Sequence, residues 1–299
     1  MHALSEMKCT IIKGIINQLS IFGTRHETSR GKPDTKGLFL FTKLALVVVT
    51  ITITATFGMT ISGCNCNVSP DSSQQLKAAI IDQLFILQPN EEFITRTSRA
   101  LEDYGFRVDI WKGDAVTVDL HKKLPTHGYK LIIFRSHSGL LGVDPRIMNR
   151  TWLFTAEEYS KTSHVFEQLT DQITYAGTDY DDSWLFAVSA KFITQSMEAE
   201  FDKTAIIMMG CDAFHFTDLA EAFIQKGAST YIAWDFSVLI DYVDRAAPLL
   251  VEKLCNETLT VKQAVTQTMQ EMKPDPEYGS VLHYFPERTG DSNLNQLIK

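Results

Sequence analysis

Thr204-Ala-Ile-Ile-Met-Met-Gly-Cys-Asp-Ala-Phe214 decides the fold. Five apolar residues, Ala205 to Met209, run straight into Gly210 and Cys211. A short continuous apolar run closed by glycine reads as a strand buried on both faces, as in a parallel sheet. Cys211 then sits at the carboxyl end of that strand, where open α/β sheets place their binding crevices. Working outward, Tyr129-Lys-Leu-Ile-Ile-Phe-Arg-Ser-His-Ser-Gly139 has the same design and delivers His137 after the run Leu131 to Phe134. Two parallel core strands thus bring a His and a Cys to one edge of one sheet.

The flanking segments supply the other layers. Ala78 to Leu87 reads as a first core strand, and Asn90 as the cap of a helix with Phe93, Ile94, Thr97, Ala100, Leu101 and Tyr104 on its stripe. Gly105 ends that helix, and Phe106 to Trp111 is a second strand. Beyond Cys211, Phe216 to Lys226 is helical, Ser229 to Trp234 is a strand, and Asp241–Cys255 and Thr260–Met272 are amphipathic helices. His283 to Pro286 is a last short strand. This alternation calls for a mostly parallel sheet with helices on both faces, one α/β domain from residue 76 to 288 with a polar tail at 289–299. Between His137 and Cys211 lie 73 residues. Trp152–Phe154 and Trp184–Val188 read as a small strand pair there, and Ala190–Ala199 as a helix. An insertion at this edge is placed to wall a cleft.

Composition narrows the function. A net charge of −8 argues against a nucleic-acid partner, because phosphate binding needs clustered Lys and Arg. The five cysteines make no disulfide framework and no metal-binding set, and no phosphate loop follows a strand, so neither a metal nor a cofactor is expected. A flavodoxin-like nucleotide binder is disfavoured for the same reason. Leu44 to Ser62 is uncharged for nineteen residues, long enough to cross a bilayer as a helix. Basic residues precede it, so the bulk of the chain is expected on the outer face. The segments are a leader (1–43), a transmembrane or signal segment (44–63) and a tether (64–75). Ile61-Ser62-Gly63-Cys64 resembles a lipoprotein signal box, which makes Cys64 a lipidation site; an uncleaved anchor is the alternative. Asn67, Asn149 and Asn256 head Asn-X-Ser/Thr sequences, weak signals on the outer side.

A thiol at a strand end with an imidazole across the cleft suits nucleophilic catalysis: Cys211 attacks a carbonyl and His137 moves the proton. Amides near Ser138, Gly139 and Cys211 are natural oxyanion donors. Asp212 either orients His137 or caps the following helix. Cys255 reads as structural.

These two strands, with Leu219-Ala-Glu-Ala-Phe-Ile-Gln-Lys-Gly-Ala228 and Tyr231-Ile-Ala-Trp234 behind them, resemble the clan CD cysteine peptidases: caspases, gingipains, clostripain, legumain, separase and CHAT domains, the last most similar in pattern. The resemblance covers residues 78 to 272. It implies a caspase-like three-layer α/β/α sandwich, a His137–Cys211 dyad and a protein or peptide substrate. It also implies that Ala233–Ser237 lines the pocket for the residue before the cut. There Trp234 and Phe236 would form apolar walls and Asp235 would meet a basic side chain, the alternative being that Asp235 simply caps the following turn. Two departures stand out. Ser138 separates His137 from Gly139 where the family has Gly, and the His-to-Cys spacing exceeds the roughly 50 residues of caspases. The expected function is a membrane-anchored, extracytoplasmic cysteine endopeptidase; the alternative is an inactive caspase-fold binding or scaffold protein at the cell surface.

Overall fold

The structure, a computed structural model, describes residues 75–140, 150–177, 183–256 and 258–299. The leader, the apolar segment 44–63, Cys64 and nearly all of the tether lie outside the described residues, as do Asn67 and Asn149. No described helix is long and apolar enough to cross a membrane.

The chain opens with β1 (Lys77–Asp82). This strand is shorter than its apolar run, because Asp82 turns into a buried charge cluster and Gln83–Phe85 form a 3-10 turn. Ile86 and Leu87 stay exposed beyond it. In α1 (Glu91–Tyr104), Asn90 accepts the Phe93 N–H at 2.9 Å, and Gly105 closes the helix at φ +107°, a left-handed conformation that glycine adopts without strain. β2 (Arg107–Lys112), α2 (Val118–Lys123) and β3 (Leu131–Arg135) follow.

The insertion contributes β4 (Ser138–Leu140), β5 (Thr151–Glu158), α3 (Val165–Leu169), β6 (Ile173–Ala176) and β7 (Leu185–Ser189). The anticipated strand pair is present as β5 and β7, and β4 and β6 extend it to a four-stranded antiparallel sheet in the order β4-β5-β7-β6. After α4 (Ala190–Gln195) come β8 (Thr204–Met209), α5 (Asp218–Gln225), β9 (Ala228–Trp234), α6 (Ile240–Leu254), α7 (Val261–Met272), β10 (Leu282–Phe285) and α8 (Leu294–Ile298).

The main sheet runs β10-β9-β8-β3-β1-β2, parallel throughout except for β10 against β9. Strand alternation sorts its side chains into two cores. Ile80, Ile133, Ile207 and Ile232 face α1, α6, α7 and α8. Ile81, Ile132, Ile206 and Tyr231 face α2, α4, α5 and the inner side of the second sheet. The fold is therefore the expected α/β class, a mostly parallel sheet between helical layers. The chain end differs from a simple polar tail. Leu294, Leu297 and Ile298 of α8 are buried in the first core, since three apolar residues on one short helix face find cover against β8 and β9.

Candidate active site

The site is built by register. β3 and β8 are parallel neighbours with Arg135 opposite Met209. His137 and Cys211 each lie two residues further on, so the two chain segments leave the sheet side by side. Ser138 Oγ donates to the Cys211 carbonyl oxygen at 2.6 Å and ties them together. Gly210 permits this approach: a Cβ there would collide with Ser138 Oγ and lie 2.5 Å from the Ser136 carbonyl oxygen.

His137 is 6% exposed. Its N–H donates to Gln83 Oε1 at 2.9 Å, its carbonyl accepts the Phe154 N–H at 3.0 Å, and its ring tilts against Phe154. Just below, Arg135 is fully buried. Its guanidinium grips Asp244 of α6 through Nε at 2.6 Å and Nη2 at 2.9 Å, and Asp82 of β1 through Nη1 at 2.7 Å. It also donates to the Gln88 carbonyl and stacks over Phe93, while Asn90 Nδ2 donates to Asp244. Burial pulls the guanidinium pKa down, but the two carboxylates more than offset it and the net shift is upward. For Asp82, burial outweighs Arg135 and the carboxyl is raised.

β8 lies between β3 and β9, so Cys211 also borders the loop after β9. There Sγ donates to the Val238 carbonyl at 3.6 Å and accepts the Val238 N–H at 3.5 Å. Burial pushes the Cys211 thiol up to about 11, and the carboxylates of Asp212 and Asp275 add to this against the opposing hydrogen bonds from Val238 and Ser237. In this arrangement the sulfur is a protonated thiol at neutral pH. Asp212 takes a left-handed conformation, φ +55°, and its carboxylate accepts from Ser237 Oγ at 3.3 Å. It does not cap α5, which starts six residues later under Thr217.

The other expected residues are placed as follows. Ser138 and Gly139 are drawn into β4, opposite Leu153 and Trp152. Trp234 is fully buried, packing against Tyr242 with its Nε1 donating to Met209 Sδ. It is a core residue rather than a cleft wall, because strand alternation turns it toward α6. Phe236 is exposed and meets the His215 ring edge-on. Asp235 Oδ1 accepts Ser280 Oγ at 3.0 Å and the Val281 N–H at 2.9 Å, and Oδ2 lies 3.2 Å from His283 Nε2. Its carboxylate thus binds the end of β9 to the start of β10. Cys255 packs on the first core, and burial pushes its thiol up to about 12.

Sequence reasoning passed over Arg135, Asp82, Asp244, Gln83, Val238 and Asp275. A signal existed for the first three: a charged residue inside an apolar strand or helix stripe needs a buried partner of opposite sign.

No protein-family model matches the chain, and no curated protein matches it. Among solved structures, the chain is similar to the Arg-specific cysteine proteinase gingipain R, with a TM-score of 0.41 and 15% identity over 67% of this chain. It spans 43% of that structure's length.

Proposed function

We propose that this chain is a caspase-fold cysteine endopeptidase in which Cys211 is the nucleophile and His137 its base. The single observation that carries the reading is the matched register of β3 and β8, which brings the two residues out of the sheet side by side, joined through Ser138. In the reaction, the Cys211 thiol passes its proton to His137, the sulfur bonds to the scissile carbonyl carbon, and His137 returns the proton to the departing amine. Water then cleaves the thioester. A preference for basic residues before the cut would rest on Asp235, whose partner His283 a cationic side chain would have to displace. Anchoring through residues 44–63 or a lipid on Cys64, with the domain on the outer face, belongs to the same proposal.

A specific observation favours a second reading, a binding module without turnover: the sulfur is hydrogen-bonded to Val238 and its pKa is raised. A peptidyl acyloxymethylketone probe separates the two. The peptidase reading expects covalent capture of Cys211 that is lost in H137A. It also expects turnover of a cleaved peptide to vanish in C211A and to fall about 10²–10⁴-fold in H137A. Equal labelling and turnover in H137A would sink it.

A further inference from the structure

The turn between α7 and β10 carries two buried polar residues that the proposed chemistry leaves unused, Asp275 at 2% exposure and Ser280 fully buried. Asp275 Oδ1 accepts the N–H groups of Glu277 and Tyr278 at 3.0 and 2.8 Å, which shapes the turn from within. The turn closes through Asp275 N–H to the Ser280 carbonyl and Gly279 N–H to the Asp275 carbonyl. Both residues then reach out of the turn to the same place, the loop after β9. Asp275 Oδ2 accepts the Leu239 N–H at 3.1 Å. Ser280 Oγ donates to Asp235 Oδ1 and meets both the N–H and the carbonyl of Phe236 at 3.2 Å. Between these fixed points sits Val238, 4% exposed, with its N–H and carbonyl both on Cys211 Sγ.

We propose that the 274–281 turn is an autoinhibitory latch: through Asp275 and Ser280 it holds loop 235–239 so that the Val238 backbone keeps the Cys211 thiol engaged. The proposal rests on the dyad reading for its consequence, since attack requires the thiol to leave the Val238 carbonyl and give its proton to His137. Displacing the loop frees the sulfur; restoring the Asp275–Leu239 bond recaptures it. The groups facing the sulfur agree with this role. Asp212 on its own segment and Asp275 across the loop are both carboxylates, and both disfavour thiolate while the latch is closed. Asp275→Asn keeps an acceptor for the turn, removes the charge, and presents an amide where Leu239 needs an acceptor.

The test measures sulfur reactivity, so it stands apart from turnover. Full-chain wild type, D275N and S280A are treated with iodoacetamide, and alkylation of Cys211 and Cys255 is followed separately by peptide mass spectrometry. Cys255, also half-buried but at the opposite end of α6 from Leu239, reports unfolding. The expected result is a rise in the Cys211-to-Cys255 rate ratio of about tenfold in D275N, and a smaller rise in S280A, as the thiol leaves Val238 and becomes accessible. If D275N loses its fold, both cysteines accelerate together and the S280A ratio decides. A wild-type ratio in the folded variants overturns the latch. Should no form of the protein, wild type included, cleave peptide while the ratio shifts, the peptidase reading fails and control of the thiol by the turn stands.

Discussion

Two strand ends flank Cys211, and they are held by different physics. On the β3 side, Arg135 to Ser138 is fixed by a buried guanidinium between two carboxylates, by Gln83 on the His137 N–H, and by Phe154 on its carbonyl. On the β9 side, Asp235 to Leu239 is held by separate hydrogen bonds: the Leu239 N–H to the Asp275 carboxylate, and the Asp235 carboxylate to Ser280 Oγ and the Val281 N–H. The first set cannot be loosened without stranding charge in a core that water does not reach. The second is a set of single hydrogen bonds to carboxylates, each worth about 1.5–3 kcal/mol and each breakable without separating an ion pair. The histidine side is thus a rigid post, and the loop touching the sulfur is the adjustable part.

The largest effect should come from breaking the post. Arg135→Met leaves Asp82 and Asp244 buried without their cation, and the expected destabilisation is about 3–5 kcal/mol. Chemical denaturation reads it directly. Replacing all three residues by apolar ones of similar volume should recover most of that loss. A denaturation midpoint unchanged by R135M would show that the two strand ends do not differ as described.

A second test probes the opposite face of β3. His121 is fully buried, stacked on Phe134, with Nδ1 at 2.8 Å from the Thr117 carbonyl. Burial lowers its pKa from the ordinary 6.5 to about 4. The folded state therefore disfavours the charged ring, and the unfolded chain binds the proton first. Its contribution is fully present above pH 6.5 and is lost as pH falls from 6.5 toward 4, about 3 kcal/mol in all. His121→Leu should flatten the stability profile across that window. An identical pH slope in the variant would remove His121 as its source.

The sequence showed much of this and hid a definable remainder. The alternation of apolar runs with stripes at helical spacing made the layers legible, and the twin runs ending at His137 and Cys211 located the sheet edge. The local cap at Asn90 was also readable, because it depends on residues within three positions. What stayed hidden depends on pairings far apart in the chain. Arg135 meets Asp244 109 residues away, and Asp275 meets Leu239 36 residues away, distances that no local pattern encodes. Trp234 was misplaced for a simpler reason. The family resemblance suggested a pocket wall, whereas its place in the strand alternation turned it inward.

A smaller effect, expected at about 1–3 kcal/mol, concerns the contact between the post and the sulfur-bearing segment. Gly210→Ala puts a methyl against Ser138 Oγ and the Ser136 carbonyl, and the latter is backbone with little room to yield. The Ser138–Cys211 bond should break and the segments should part. Under the dyad reading kcat then falls with little change in KM, since the His–Cys geometry is altered and substrate contacts are not. Unchanged kcat alongside the stability loss would mean that the close approach serves packing alone.

The smallest expected effect belongs to the adjustable side and decides what Asp235 does. Its carboxylate is partly exposed and makes two bonds to Ser280 and Val281 through one oxygen, while the other faces the exposed ring of His283. As a strut alone, Asp235→Ala should cost about 1–2 kcal/mol, and Asp235→Asn, which retains an acceptor for the Val281 N–H, should cost less. If the carboxylate also receives a cationic side chain of the substrate, both variants lose the charge, and kcat/KM for peptides with Arg or Lys before the cut should fall about tenfold relative to neutral ones. The decisive measurement is the ratio of the two substrate classes in D235N, where the loop bonds are best kept. A ratio equal to wild type would assign Asp235 to the loop alone and end the case for a basic preference. A collapsed ratio with an intact thermal midpoint would mean that the loop contacting the sulfur also reads the substrate's charge.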